Sequence, residues 1–241
     1  MESIIQVTNL KKAFDIDGMK QEILKGLNFE IKKSSFTSIM GPSGCGKSTL
    51  LYILGGLDDP TEGDVKICGR SYKELSKNEK AAMKRQQMGF VFQFYNLVPN
   101  LTVEDNIMLP ILLDGKKRSA YKERYNEILE ITGLTNKTKH TPRELSGGQQ
   151  QRVAIARALI FKPEIVLADE PIGNLDSKSG KIIMELFRTI NREYKTTIVQ
   201  VTHSPESALY GDSIIRMLDG NIQAFETINS GEESTHEIGQ P

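Results

Sequence analysis

The chain has 241 residues, and 31 Lys plus Arg balance 31 Asp plus Glu, so its formal charge is zero. Apolar residues make up 38% and charged residues 26%, which excludes a mostly disordered chain, a collagen-like repeat and a disulfide scaffold. Without a global basic field, bulk attraction to nucleic acid is not expected.

The N-terminus, Met1 to Leu10, lacks a basic stretch followed by an apolar core, so no secretion signal is expected. Ile4–Val7 and Leu27–Ile31 are short β-branched or apolar runs that predict strands. Phe36–Met40 predicts a buried strand, and Gly41-Pro42-Ser43-Gly44-Cys45-Gly46-Lys47-Ser48-Thr49 follows it directly. An apolar helix over Leu50–Leu57 comes next. This is G-x-x-x-x-G-K-[ST] between a strand and a helix, the context that pattern requires. Glycines let backbone N–H groups turn inward around phosphate oxygens, and the helix N-terminus adds partial positive charge. Lys47 supplies a cation for the β- and γ-phosphates, and the Ser48 hydroxyl suits Mg²⁺. The chain is therefore expected to bind a nucleoside triphosphate.

Val65–Cys68 and Phe90–Phe92 predict further strands. Thr102 with Asp105 has the spacing of a helix N-cap. The segment from Thr102 to Arg143 is helical and charged without a good central strand, and Tyr121, Tyr125, Ile128 and Leu129 share a helix face. It reads as a helical insertion. The longest strongly apolar run, Ile107 to Leu113, contains Pro110 and is far shorter than the roughly 20 residues of a membrane span. Lys116-Lys117-Arg118 reads as a solvated turn rather than a nucleic-acid site. Cys45 and Cys68 match no zinc pattern and fit a reducing compartment.

Leu145-Ser146-Gly147-Gly148-Gln149 precedes a predicted helix over Gln150–Ile160. Ser146 is a candidate N-cap, and the exposed Ser-Gly-Gly is a second anion site. The buried-looking strand Ile165–Ala168 ends in Asp169-Glu170-Pro171. Taken alone, that pair reads equally as a polar turn, as at Asp219-Gly220. At the end of a parallel strand beside a phosphate loop it reads as a metal carboxylate, Asp169, and a general base for water, Glu170. Lys178 to Tyr194 is an amphipathic helix with Ile182, Ile183, Leu186, Phe187, Ile190 and Tyr194 on one face. Thr197–Val201 and Ile214–Met217 complete the strands, and a polar tail runs from Thr227 to Pro241. Buried strands alternating with helices imply a covered, mostly parallel sheet.

These motifs together, the phosphate loop, Leu145–Gln149 and the acidic strand end, resemble the ATP-binding subunit of ABC transporters, from about Ile4 to Phe225. The resemblance implies an α/β fold: a P-loop NTPase core with a mostly parallel sheet, an N-terminal antiparallel β layer and an inserted α-helical subdomain. The expected boundaries are one domain over 1–226, with the core and β layer at about 1–101 and 144–226, the helical subdomain at about 102–143, and the tail at 227–241. It also implies that Phe14 stacks on adenine, where tyrosine is commoner. Gln93 senses Mg²⁺ and the γ-phosphate, the Leu175-Asp176 loop crosses between two active sites, and His203 contacts the γ-phosphate. Without the resemblance, Phe14 reads as a core aromatic, Gln93 as a loop amide and His203 as a surface residue. The implied cofactors are ATP and Mg²⁺. The implied partners are an integral membrane permease and a second copy of the chain in a head-to-tail dimer, with no nucleic acid. In that dimer each ATP lies between one copy's phosphate loop and the other's Ser146–Gln149, at the cytoplasmic side of the cell membrane.

Ile39–Gly44, Leu54–Asp58, Gly89–Gln93, Leu145–Leu159 and Gly173–Asp176 are similar to the branch serving lipoprotein release, macrolide export, peptide-antibiotic resistance and cell division, with a peptide-type exporter or resistance transporter as the leading expectation. An amino-acid importer ATPase and a soluble ABC ATPase of translation or DNA repair are the alternatives. Two positions depart from the family pattern. Cys45 replaces a small residue, commonly serine, and its oxidation or alkylation is expected to block ATP binding, neutral drift being the alternative. Ile172 stands where threonine is commoner, which bears on hydrogen bonding near Glu170. Arg152 and Arg157, on the helix after Gln149, are candidates for local salt bridges and are assigned no catalytic role.

Overall fold

The structure is a computed structural model that describes residues 2–16, 18–228 and 233–237. Strands β1 (Ser3–Ile16) and β2 (Met19–Lys32) form an antiparallel hairpin. In the second half of β2, Leu27, Phe29 and Ile31 are buried at every second position while Asn28, Glu30 and Lys32 face water. Phe14 and Met19 at the far end of the hairpin are exposed, so only the inner, apolar parts were legible as strands. After them come β3 (Phe36–Met40), α1 (Lys47–Leu54), β4 (Glu62–Ile67), β5 (Arg70–Ser71), α2 (Lys77–Gln87) and β6 (Met88–Phe92). The helical segment holds α3 (Val103–Leu113) and α4 (Lys122–Thr132). The chain continues through α5 (Gly147–Leu159), β7 (Ile165–Asp169), α6 (Ser177–Tyr194), β8 (Thr197–Thr202), α7 (Pro205–Ala208), β9 (Ser213–Leu218), β10 (Asn221–Ile228) and β11 (Glu233–Glu237).

Among the described residues two sheets form. The antiparallel one has the order β2-β1-β4-β5, and the larger one runs β11-β10-β9-β3-β8-β7-β6. In the latter, β9, β3, β8, β7 and β6 are parallel, while β10 and β11 add antiparallel strands at one edge. Every residue of β3, β7 and β8 is buried, as strands covered on both faces require. Alternate residues feed two cores. Leu167 and Val199 join Leu10, Leu24, Leu50 and Leu54 beneath the antiparallel sheet and α1. Val166, Ala168 and Ile198 join Val103, Ile107, Ile128, Val153 and Phe187 under the helices of the opposite face.

Several boundaries differ from the expectation. Helix α1 begins at Lys47, directly after Gly46 in left-handed backbone and without a side-chain cap, and stops at Gly55. Helix α5 begins at Gly147 because its Ser146 cap starts the first turn without an apolar residue. Helix α2 was not expected, since Met83 is its one buried residue. Its capping box, Ser76 with Glu79, is the signal that marks it. Thr102 caps α3 as predicted, accepting from the Asp105 N–H at 3.1 Å. Within the expected polar tail, Thr227 and Ile228 finish β10 and Glu233–Glu237 pairs back on it. Residues 229–232 and 238–241 lie outside the described residues. Among the described residues no helix is long and apolar enough to cross a membrane.

Candidate nucleotide site

Four neighbouring strands end level with one another. Met40 pairs with Thr202, Asp169 with Val201, and Phe92 with Asp169. Their C-terminal ends deliver the phosphate loop from β3, His203 from β8, Asp169 and Glu170 from β7, and Gln93 from β6. That edge is where open α/β sheets bind ligands.

Loop 41–46 is shaped by backbone constraints. A Cβ on Gly41 would strike the Met217 carbonyl and come 2.7 Å from Cys45 Sγ, while Gly46, at φ +100, lies against Leu24 and Ile23. Pro42 and Ser43 carry the loop outward to Gly44, which has φ +81 and open space where a Cβ would be. Lys47 is buried and folds back over this loop, its Nζ donating to the carbonyls of Gly41 and Pro42 at 2.8 Å each. Thr49 follows Ser48 in the first turn of α1.

The Ser48 hydroxyl donates to Asp169 Oδ1 at 2.9 Å, and the Tyr52 hydroxyl donates to Asp169 Oδ2 at 2.8 Å. Burial, and then the Asp169 hydrogen bond, push the Tyr52 phenol up to about 12, so it stays a donor at neutral pH. Glu170 lies in left-handed backbone (φ 45), its N–H held by the Val201 carbonyl at 3.0 Å. A non-glycine residue in this region is strained and is held there by its surroundings. The Glu170 carboxylate meets His203 Nδ1 at 3.0 Å. Gln93 and Asn174 exchange bonds: Gln93 Nε2 donates to Asn174 Oδ1 at 3.2 Å, and Asn174 Nδ2 to the Gln93 carbonyl at 3.1 Å. The turn after Glu170 closes through the backbone, Gly173 N–H to the Glu170 carbonyl and Leu175 N–H to that of Ile172. No side-chain oxygen at 172 is needed there.

Ser146 caps α5 in a capping box with Gln149, as expected. A Cβ on Gly147 would lie 2.9 Å from the Tyr95 hydroxyl and 3.4 Å from Leu175, and one on Gly148 3.1 Å from Ser179. Those nearest neighbours belong to the segments around Gln93 and α6, not to loop 41–49. The structure thus brings Ser48, Asp169, Glu170, His203 and Gln93 to one sheet edge with the phosphate loop, and sets Ser146–Gln149 apart from that loop. Asp176 caps α6 through the Ser179 N–H at 2.9 Å, and bonds from Ser179 hold its carboxyl below the usual range. Phe14, on β1, is 40% exposed rather than a core aromatic, with Lys12 Nζ 4.8 Å from its ring centre.

Other readings need correction. Cys45 is 4% exposed and packs in the core beneath the loop, so the ready modification expected of it meets a steric barrier. Among the described residues neither Arg157 nor Arg152 forms the salt bridge for which it was a candidate. Arg157 donates to the carbonyls of Tyr95 and Asn96, and Arg152 to those of Thr132 and Gly133. Gln151, buried one turn into α5, donates to the Pro171 carbonyl at 2.6 Å and ties that helix to the Glu170 turn. Tyr52, Tyr95, Gln151 and Asn174 were given no role from the sequence, and Arg157 was read only as a candidate for a local salt bridge. Only the four-residue step from Ser48 to Tyr52 along α1 left a usable signal.

A phosphate loop, a carboxylate pair at the neighbouring strand end and a separate Ser-Gly-Gly helix cap define a nucleotide-hydrolysing cassette of the P-loop class. The sequence profile described as ABC transporter matches residues 24–173. The chain is 47% identical over 222 residues to a lipoprotein-releasing system ATP-binding protein, LolD, of Aquifex aeolicus, covering 92% of this chain and 97% of that one. It is 43% identical over 221 residues to the macrolide export ATP-binding/permease protein MacB of Rhodopirellula baltica, 91% of this chain but 32% of MacB. The dimeric ATP-binding cassette MJ0796, in a post-hydrolysis state with ADP and Pi, superposes with a TM-score of 0.85 at 42% identity, covering 94% of this chain and 99% of that one. The chain belongs to the ABC transporter family, as an ATP-binding, ATP-hydrolysing subunit.

Proposed function

We propose that two copies of this chain close head to tail around two ATP molecules and so drive a membrane permease of the lipoprotein-release, macrolide-export or peptide-resistance type from the cytoplasmic face. The observation that carries this is the separation of the two anion sites. The phosphate loop and the Ser146–Gly148 cap have different neighbours within one chain, so one copy alone presents half of each site.

Within each site, loop 41–46 and Lys47 hold the phosphates, Lys47 leaving the Gly41 and Pro42 carbonyls for β- and γ-oxygens. The donors Ser48, Asp169 and Gln93 are all oxygen-bearing, with Ser48 and Asp169 2.9 Å apart. One carboxylate and one hydroxyl suit Mg²⁺, which takes its other ligands from water and nucleotide phosphates. When bound, Mg²⁺ neutralises charge on the β- and γ-oxygens. Glu170 orients the attacking water, and His203, hydrogen-bonded to it, faces the γ-phosphate. Phe14 stacks on the adenine. Ser146 and the Gly147 and Gly148 N–H groups of the opposite copy cap the triphosphate, with Gln149 fixing that cap and Asp176 crossing beside it. Reaction then rests on positioning and charge stabilisation. Gln93 reports nucleotide state to the permease, which docks on the exposed apolar residues Phe94, Leu112 and Leu113. Segment 102–143 acts as the helical subdomain in that transmission.

Complementation tests the shared site. Mixtures of Lys47→Ala and Ser146→Arg chains, each inactive alone, regain up to one functional site per mixed dimer in a phosphate-release assay. No recovery at any mixing ratio rejects the head-to-tail arrangement.

A further inference from the structure

Asp169 ends β7 and is buried to 9% exposure, and each of its carboxylate oxygens has its own donor. Oδ1 takes the Ser48 hydroxyl at 2.9 Å and Oδ2 the Tyr52 hydroxyl at 2.8 Å. Ser48 and Tyr52 lie four residues apart on α1 and so project from the same face of the helix. The two donors differ in what holds them. A serine hydroxyl turns freely on a single bond. The Tyr52 ring is half-buried and lies against β6, its centre 6.5 Å from that of Phe92, which in turn stacks on Phe90 at 5.9 Å.

We infer that Tyr52 is a positioning residue for the metal carboxylate: it retains Asp169 Oδ2, so that Oδ1 alone is released toward Mg²⁺ when the Ser48 hydroxyl turns to the ion. This rests on the reading of Ser48 and Asp169 as the metal site. Without the phenol the carboxylate rotates about its side-chain bonds and offers either oxygen. Partners behind a ligand commonly change metal affinity by about 10- to 100-fold.

The experiment uses the full chain loaded with ADP, where no turnover occurs, and Mn²⁺ as the probe, read by electron paramagnetic resonance titration. Affinity for a fluorescent ADP analogue is measured alongside in EDTA. Tyr52→Phe is expected to weaken Mn²⁺ binding by about tenfold or more while ADP affinity in EDTA stays at the wild-type value. A role confined to folding lowers both affinities together, and that result overturns the inference, as does unchanged Mn²⁺ affinity. Ser48→Ala and Asp169→Asn separate the two levels. If both weaken Mn²⁺ binding and Tyr52→Phe does not, the positioning role falls and the metal site stands. Should neither weaken it, the metal site itself is misassigned and the inference falls with it.

Discussion

Arg157 clamps the segment that follows Gln93: its guanidinium donates to the Tyr95 carbonyl at 2.8 Å and to that of Asn96 at 2.6 Å. Both acceptors lie in left-handed backbone, at φ 61 and 48. The Tyr95 hydroxyl in turn sits over Gly147 at the start of α5, so the segment after Gln93 meets α5 near both of its ends, beside the Ser146 cap and at Arg157. Arg157→Ala strands two carbonyls and is expected to cost about 2 kcal/mol in urea unfolding. It should also reduce stimulation of ATP hydrolysis by the permease more than it reduces ATP affinity. Unchanged stimulation with the same loss of stability makes the clamp purely structural.

Glu170→Gln keeps the hydrogen bond to His203 within reach but removes the base. ATP binding should persist, kcat should fall by about 10²- to 10⁴-fold, and closed dimer should accumulate. Phosphate release and size-exclusion chromatography in ATP check this, and wild-type turnover removes Glu170 from the role.

Two alanine substitutions in the loop are expected to fail for different reasons. Gly41→Ala drives a methyl into the Met217 carbonyl and Cys45, so the melting temperature falls with or without nucleotide. Gly44→Ala meets no neighbouring atom and faces only the strain of φ +81, about 1–2 kcal/mol. Its main effect is expected on ATP affinity, because in the proposed site phosphate oxygens approach the backbone through the open space above Gly44. Equal losses of stability in the two variants contradict this division.

Neither thiol is expected to label readily. Cys45 is held in the core, and Cys68 is pushed up to about 11 by burial and the Glu164 carboxylate. The thiolate is the reactive form, so alkylation of Cys68 should rise steadily with pH from 7 to 10. Cys45 should become reactive only on unfolding. Mass mapping after timed labelling tests both, and rapid native labelling of Cys45 with loss of ATPase activity restores the modification first expected there.

Most of the fold was legible wherever burial and local period coincide. Phe36–Met40 was read to the residue because a strand covered on both faces is an unbroken apolar run. Helix α2 and strand β10 escaped because they bury little and look like surface. Among the site residues, those set by local backbone chemistry were visible: loop 41–49, the Ser146 cap and the Asp169-Glu170 strand end. Tyr52 was not, since its partner Asp169 is 117 positions away in the chain. Arg157 was misread because a charged side chain suggests a carboxylate partner, while its two terminal nitrogens donate to the backbone carbonyls of Asn96 and Tyr95.

The sequence by itself determined the chemistry of the site, because an anion cradle, a helix cap and a buried strand are specified by residues next to one another. Only the tertiary structure decided which of these face one another. The sheet runs β3-β8-β7-β6, an order that reverses most of the chain order after β3 and brings His203, Glu170 and Gln93 beside the phosphate loop. The same packing set Gly147 and Gly148, beside the Ser146 cap, against Tyr95, Leu175 and Ser179 rather than against that loop. Contacts between distant segments depend on how whole layers bury their apolar faces, and no short stretch of residues encodes that.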